Sequence, residues 1–464
     1  MNHYQGHVKK ILSDTYLWIC LFFIAIYTII FSIFAIEKHQ AYHSGIDLAV
    51  YEHLFWSTIN QGSFFTSTLE GVNTFGVHFS PILFALIPVY ILHPATETLL
   101  VLQTLLLGGA ALPLFSIARH CIDDKAGIIV ASAYLMYPAL HGVNLTDFHV
   151  VCFASLFFFS AFYFLKTENF RLFFLFVLLL ACTREDLIPI SVMICIYGAW
   201  QVKRSSKDYK SFLIIAGILA AWFLIVIGAI MPALIPDGSS AGGHIFQYQK
   251  MMEGFGHYQI NRLTHAALLL APILILPLFS PDILFIGLPG FLEIFLSPSP
   301  YYYSIEYQYS ALIIPCLFIA TVKTLSTIKN FDRHQISCLY KPILCCLLIS
   351  GFICMFLFSP SPLRSGSFSK SYDPTITEHN LAMDEILASI PQDAAIGSQE
   401  DILPHISRRT NLYQGFNEKA DYIIADNQTK FIDIFHNSAN SLASWNMIYS
   451  KSGITVFKNP ALHP

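Results

Sequence analysis

Charge is what this chain has least of. Asp, Glu, Lys and Arg make up only 12% of its 464 residues, roughly half the ~25% of an ordinary soluble domain. The net charge of −4 supplies no basic field for a polyanion, so no nucleic-acid partner is expected. No CxxC…CxxC spacing offers a structural metal site. No internal repeat of 20–50 residues is visible, and no glycine-rich phosphate loop stands in the C-terminal tail. The tail also lacks cysteine. All ten cysteines precede residue 360, so no disulfide framework holds the tail. The adjacent Cys345 and Cys346 lie in an apolar run and read as packing residues.

Apolar sequence is abundant instead. The chain is 55% hydrophobic, with 40 Phe and 23 Tyr and a mean hydropathy of +0.57. These are the marks of a polytopic membrane protein with lipid-facing surfaces and interfacial aromatic belts. The run from Leu17 to Ile36 follows Lys9 and Lys10. At about twenty residues it is too long for a signal-peptide core and reads as an uncleaved first span. Apolar runs near 15–36, 98–118, 126–141, 150–166, 170–183, 187–202, 211–232, 264–279, 283–296, 308–328 and 342–359 predict about eleven spans. The fifth, eighth and ninth are the shortest.

Lys and Arg set the expected orientation. With the N-terminus inside, fourteen fall in inner segments, and the outer loops hold only Lys38, Arg184, Lys250 and Arg262. The tail beyond Ser361 is then extracytoplasmic. There, helical spacing over 377–390 and strand-like runs at 394–397, 410–413, 422–425 and 453–457 predict a small α/β domain. A further helix is expected over 429–438. The expected division is a transmembrane domain 1–359, with a first outer loop at 37–97, and an extracytoplasmic domain 360–464.

The ionisable residues gather at predicted outer edges, where they are costly unless used or solvated. The first outer loop holds Asp47, Glu52, His53, Glu70, His78, His93 and Glu97. Asp47 opens an amphipathic segment. It reads either as a helix N-cap or as a base facing a lipid-linked substrate. His78 precedes Ser80-Pro81 and suits a helix cap or a phosphate contact. Asp147 and His149, with His141 and Asn144 nearby, form a polar cluster able to share a proton or contribute to a metal site. Arg184-Glu185-Asp186 is either a solvated turn or a phosphate-binding arginine oriented by a carboxylate. Lys250 and Arg262 lie in the outer loop 233–262. Tyr301, Tyr302, Tyr303, Tyr307 and Tyr309 lie in the loop 297–309. Such tyrosines form interfacial belts and also stack on sugar rings.

Several of these segments resemble a family of prokaryotic membrane proteins, the domain-of-unknown-function family 2079. They are Ile46-Asp-Leu-Ala-Val-Tyr-Glu-His-Leu-Phe-Trp56, Val77-His-Phe-Ser-Pro-Ile-Leu83, Pro88-Val-Tyr90, Leu99-Leu-Val-Leu-Gln103, Thr146-Asp-Phe-His149, Arg184-Glu-Asp186 and Tyr307-Gln-Tyr-Ser-Ala311. The likeness continues in the tail at Ile390-Pro391, Leu403-Pro-His-Ile-Ser-Arg408 and Ala420-Asp-Tyr-Ile-Ile424. That family in turn looks like the GT-C glycosyltransferases, which include protein O-mannosyltransferases and lipid A aminoarabinose transferases. The resemblance implies many spans, a first outer loop bearing a catalytic carboxylate matched by Asp47, and an extracytoplasmic C-terminal domain. It also implies a polyprenyl-phosphate sugar donor. One departure is plain: no adjacent Asp-Glu pair follows the first span, so the acceptor does not carry over.

The expected activity is therefore transfer of a sugar from a polyprenyl-phosphate donor to an extracytoplasmic acceptor, in a bacterial inner membrane. Asp47 is the expected catalytic residue. His78, Asp147, His149, Arg184, Glu185, Lys250, Arg262 and Tyr307 are the expected substrate contacts. A divalent metal is an open expectation at Asp47, Asp147 and His149. The expected partners are the lipid-linked donor and membrane lipid. The rival reading is a lipid or solute transporter, or a non-catalytic membrane scaffold. Transporters often carry inverted repeats and charges at mid-span, and neither feature is seen. Convergence of Asp47, His78, Asp147, His149 and Glu185 on one outer cavity separates the readings.

Overall fold

A computed structural model of the chain describes residues 13–204, 209–236, 258–363, 374–429, 435 and 439–461. Lys250 and most of the helix expected over 429–438 lie outside them. The fold is mainly helical, with a small C-terminal sheet. Helix α1 (Thr15–Gln40) begins at Asp14, whose carboxylate accepts from Leu17 N–H at 3.1 Å. Arg119 anchors the same carboxylate at 2.5 Å. Then follow α2 (Ile46–Gln61), the two-residue strands β1 (Thr66–Ser67) and β2 (Val72–Asn73), and α3 (Thr96–Gly109), which runs almost directly into α4 (Ala111–Cys121). Next come α5 (Asp124–Leu135), α6 (Pro138–Leu145), α7 (Phe153–Lys166), α8 (Phe170–Ala181) and α9 (Leu187–Arg204). The helical part closes with α10 (Lys210–Ile225), α11 (Gln259–Leu270), α12 (Leu288–Leu296), α13 (Ile314–Lys329) and α14 (Tyr340–Phe358).

Among the described residues, four helices are long and apolar enough to cross a membrane, or five if α5 and α6 form one bent span. That count does not confirm the expected spans, about eleven in number. Apolar sequence does form helix in nearly every predicted run, but breaks shorten it. Pro138, which cannot donate to a preceding carbonyl, opens α6 after a 49° bend. The region expected to hold spans eight and nine leaves α11 through short 3₁₀ turns, with Leu274 and Ile275 both at φ 53°. A twelve-residue helix rises only about 18 Å, against a ~30 Å hydrocarbon core. The surface is nonetheless apolar: Phe22, Ile29, Ile214, Ile218, Leu224 and Ile349 are each more than half exposed. An apolar surface on this scale belongs in lipid rather than water.

The C-terminal part opens with α15 (Glu378–Ser389), started by a reciprocal cap between Thr377 and Asn380. Strands β3 (Ile396–Ser398), β4 (Leu412–Gln414), β5 (Tyr422–Asp426), β6 (Asn446–Lys451) and β7 (Ile454–Lys458) form one sheet in the order β4-β3-β5-β7-β6. The β4-β3 and β3-β5 pairs are parallel, and the rest antiparallel. Four of these strands lie where the sequence predicts them. The fifth, β6, has no buried residue, so it carries no apolar alternation to read.

This unit does not stand apart from the helices. Its core residues Met383, Ile386 and Leu403 cluster with Tyr42 and Ala49. Helix α2 is thereby held between the bundle, through Leu48, Leu54 and Phe55, and the C-terminal unit. Asp47, near its start, stays exposed.

Candidate active site

The start of α2 is set by a residue a hundred positions away. The Gly45 N–H donates to Asp147 Oδ2 at 2.8 Å. A Cβ on Gly45 would sit 2.8 Å from the same oxygen, so glycine permits the close approach. Asp147 Oδ1 faces Lys38 Nζ at 3.6 Å, and Lys38 also donates to Leu145 O at 2.9 Å. Gly45 is the N-cap, which sets aside the reading of Asp47 as a cap. Asp47 lies in the first turn, where the helix dipole favours a carboxylate.

The segment bearing Asp147 and His149 is fixed from the bundle. Buried Gln103 on α3 donates to the carbonyls of Asn144 at 3.0 Å and Thr146 at 3.1 Å, and accepts from His149 N–H at 2.9 Å. Thr146 donates to Glu306 O at 2.8 Å. Gly142 lies so close to the neighbouring chain that a Cβ there would fall 1.7 Å from Ile305 O.

His149 Nδ1 faces Asp147 O at 2.7 Å, and Nε2 faces Asp47 Oδ2 at 3.1 Å. A carbonyl only accepts, so Nδ1 carries a hydrogen. The Nε2···Oδ2 contact then needs a proton of its own, on imidazole or carboxyl. Asp47 and His149 therefore share a proton.

A second histidine–carboxylate pair stands across the same cleft. His78 Nδ1 lies 2.9 Å from Glu185 Oε1, and Phe79 N–H donates to Glu185 Oε2 at 2.8 Å. Burial works against a charged His78, but Glu185 outweighs it and raises the imidazole pKa. Burial likewise opposes the Glu185 charge, yet His78 and Arg184 hold its pKa below the ordinary value. Arg184 is buried and donates from Nε to Asp186 Oδ2 at 2.7 Å, with Nη2 on the same oxygen. Glu70 lies beside them. Burial lifts it to about 7, Asp47 adds to the rise, and His78 and Thr74 oppose it.

These groups line one cleft of about 1060 Å³, its open mouth included. Asp47, His78, His149, Arg184 and Glu185 all reach it. Asp147 does not; it sits behind as the anchor of Gly45 and Lys38. Arg262 is buried outside the cleft, donating to Ser297 O at 3.1 Å with its guanidinium 4.8 Å from the Tyr303 ring centre. It supports the wall, because Ser297 does line the cleft. Tyr307 packs edge-on against Tyr301, while its neighbours Gln308 and Tyr309 face the cleft. Tyr309 stacks on Tyr302, ring centres 3.7 Å apart.

Sequence reasoning gave Glu70 and Glu293 no role, and it named Asp186, Tyr302 and Tyr309 only as neighbours of the expected contacts, yet all five line the cleft. Glu293 was readable. It is the one carboxylate in apolar Leu288–Leu296, and an ionisable group in such a run marks function by default.

The expected metal set does not fit. Among the described residues, no three His, Cys, Asp or Glu side chains are grouped to hold an ion. Asp47 and His149 bond each other, and Asp147 turns toward Gly45 and Lys38.

A family model described as "Predicted membrane protein (DUF2079)" matches residues 38–456. No curated protein matches the chain by sequence. Among solved structures, the chain is similar to ArnT from Cupriavidus metallidurans, both in the apo state and bound to undecaprenyl phosphate. Each match has a TM-score of 0.57 at 10% identity and covers 95% of this chain and 98% of the other. The archaeal oligosaccharyltransferase AglB from Archaeoglobus fulgidus, in complex with an inhibitory peptide and a dolichol-phosphate, matches at TM-score 0.43 and 11% identity, covering 96% and 75%. At 10% identity the likeness to ArnT establishes a shared fold.

Proposed function

The chain belongs to the DUF2079 family of predicted membrane proteins, and from that premise we propose that it is a glycosyltransferase. It moves a sugar from a polyprenyl-phosphate donor to an acceptor hydroxyl on the extracytoplasmic side of a bacterial inner membrane. In this reading the helical part, 1–359, spans the bilayer about eleven times, several spans being broken. The unit 360–464 lies outside, packed against α2.

The observation that carries the reading is convergence. Two histidine–carboxylate pairs and a buried arginine, drawn from segments a hundred residues apart, face one cleft. Its fold neighbour ArnT binds undecaprenyl phosphate. A scaffold needs no such arrangement.

The chemistry follows from the groups present. With the shared proton on His149 Nε2, Asp47 is a carboxylate. The acceptor oxygen attacks the anomeric carbon as Asp47 takes its proton. The bond from that carbon to the phosphate oxygen breaks, and its electron pair leaves on the lipid phosphate. Arg184, whose fork Asp186 orients, and protonated His78 stabilise that developing charge. The sugar is inverted once. The tyrosine pair Tyr302–Tyr309 forms an apolar wall suited to a sugar face.

The test offers purified full-length protein a panel of radiolabelled polyprenyl-phosphate sugars, with Asp47→Asn alongside. Transfer or hydrolysis of one donor, lost in the variant, supports the reading and identifies the sugar. Folded protein that neither binds nor turns over any donor overturns it.

A further inference from the structure

A second cavity lies at the opposite end of the bundle. Helices α7 and α13 start beside the cleft, near His149 and Tyr309, and end at this second niche. Their 14 and 16 residues separate the two by about 20–25 Å, which puts the niche at the other membrane face. It encloses about 610 Å³ with its open mouth. Phe162, Ile283 and Ile319 form apolar wall, and Lys166, Lys323, Tyr197, Ser326 and Thr327 supply its polar lining.

The Ser326 and Thr327 hydroxyls are spent on the carbonyls of Cys121 and Lys323, which leaves the lysines and the phenol as donors. Lys166 is exposed and makes no ion pair among the described residues. Lys323 pairs with Asp282, which occupies one of its three N–H bonds. Tyr197 is 6% exposed, and its hydroxyl accepts from Gln201 Nε2 at 2.8 Å. The phenol's own hydrogen is thus left to donate. With Asp282 counted, the formal charge of the set is one positive. A lysine in the last turn of α7 also offsets the helix's carbonyl end. That accounts for Lys166 alone, not for an apolar cavity shared with a second lysine and a buried phenol.

We propose that this niche binds the phosphodiester headgroup of an anionic phospholipid from the leaflet opposite the cleft. The lysines and Tyr197 would hold the phosphate oxygens, and the apolar wall the start of an acyl chain. Basic pockets between helices at a membrane face take such headgroups. The site is separate from the sugar-transfer reading, and its test contains no sugar donor.

Full-length protein in neutral detergent is titrated with phosphatidylglycerol, phosphatidylcholine or inorganic phosphate, and bound lipid is counted by native mass spectrometry. Wild type is expected to retain one phosphatidylglycerol that Lys166→Gln/Lys323→Gln loses. Lys203→Gln, at the same face outside the niche, keeps it. Where the double variant does not fold, Lys166→Gln alone is expected to bind about fivefold more weakly. Equal retention in wild type and variants overturns the proposal, as does equal retention of phosphatidylcholine. Displacement of the lipid by millimolar inorganic phosphate would assign the niche to a soluble anion and overturn the lipid source.

Discussion

Helix α2 carries two carboxylates five residues apart with opposite circumstances. Asp47 has a side chain 51% exposed in the cleft, and one oxygen shares a proton with His149. Glu52, 2% exposed, is enclosed where the C-terminal unit docks. Its oxygens accept from Tyr90 at 3.2 Å and Ser407 at 2.5 Å, and Arg408 Nε stands 3.6 Å away. Burial lifts Glu52 to about 7, although Ser407, Arg408 and Tyr90 all oppose the rise. The difference lies in surroundings, not in residue type. One carboxylate faces the space where a substrate fits; the other fastens the helix that presents it.

Substitutions on the two faces should therefore have opposite signatures. The largest effect is expected from Asp47→Asn. Turnover of the identified donor should fall on the order of 10²-fold or more, while thermal unfolding in detergent stays at the wild-type temperature. A variant that loses both together would make Asp47 another fastening residue. Glu52→Ala should do the reverse, lowering stability by about 1–3 kcal/mol, because the buried Tyr90 hydroxyl loses its acceptor and Ser407 keeps only Pro404 O. Denaturant unfolding measures that loss directly.

Glu52→Gln sharpens the contrast through pH. In the folded chain Glu52 keeps its proton up to about 7, whereas its ordinary value is 4.5. The stability this contributes is full below 4.5 and lost as pH rises through 7. Wild type should lose stability across that window with a slope of at most about 1.4 kcal/mol per pH unit from this group. The glutamine variant should show a flatter curve; an unchanged slope would assign the dependence elsewhere. The smallest effect is expected at His149→Gln. An amide still donates to Asp47 but cannot carry the shared proton, so turnover should fall about tenfold. The pH profile of turnover should also change shape.

Much of the scaffold was legible because it is written locally. Helix positions follow from apolar runs, and the tail's α/β character from its short alternating segments. Asp47, His78, His149, Arg184 and Glu185 stood out because charge at a membrane edge is costly, and all five reach the cleft. Arg262 stood out for the same reason, yet it is spent on Ser297 O and the Tyr303 ring. The helix breaks within the apolar runs were not legible, because hydropathy records how apolar a run is and not where its helix breaks.

The sequence by itself determined the solvent this protein lives in, where its helices run and which few residues hold its charge. These are sums over neighbouring residues. Only the tertiary structure decided that His149 meets Asp47 across 102 positions, that Glu185 meets His78 across 107, and that Ser407 closes over Glu52 across 355. Those pairings depend on how helices pack and which groups lose water as they do. No window of adjacent residues contains that information.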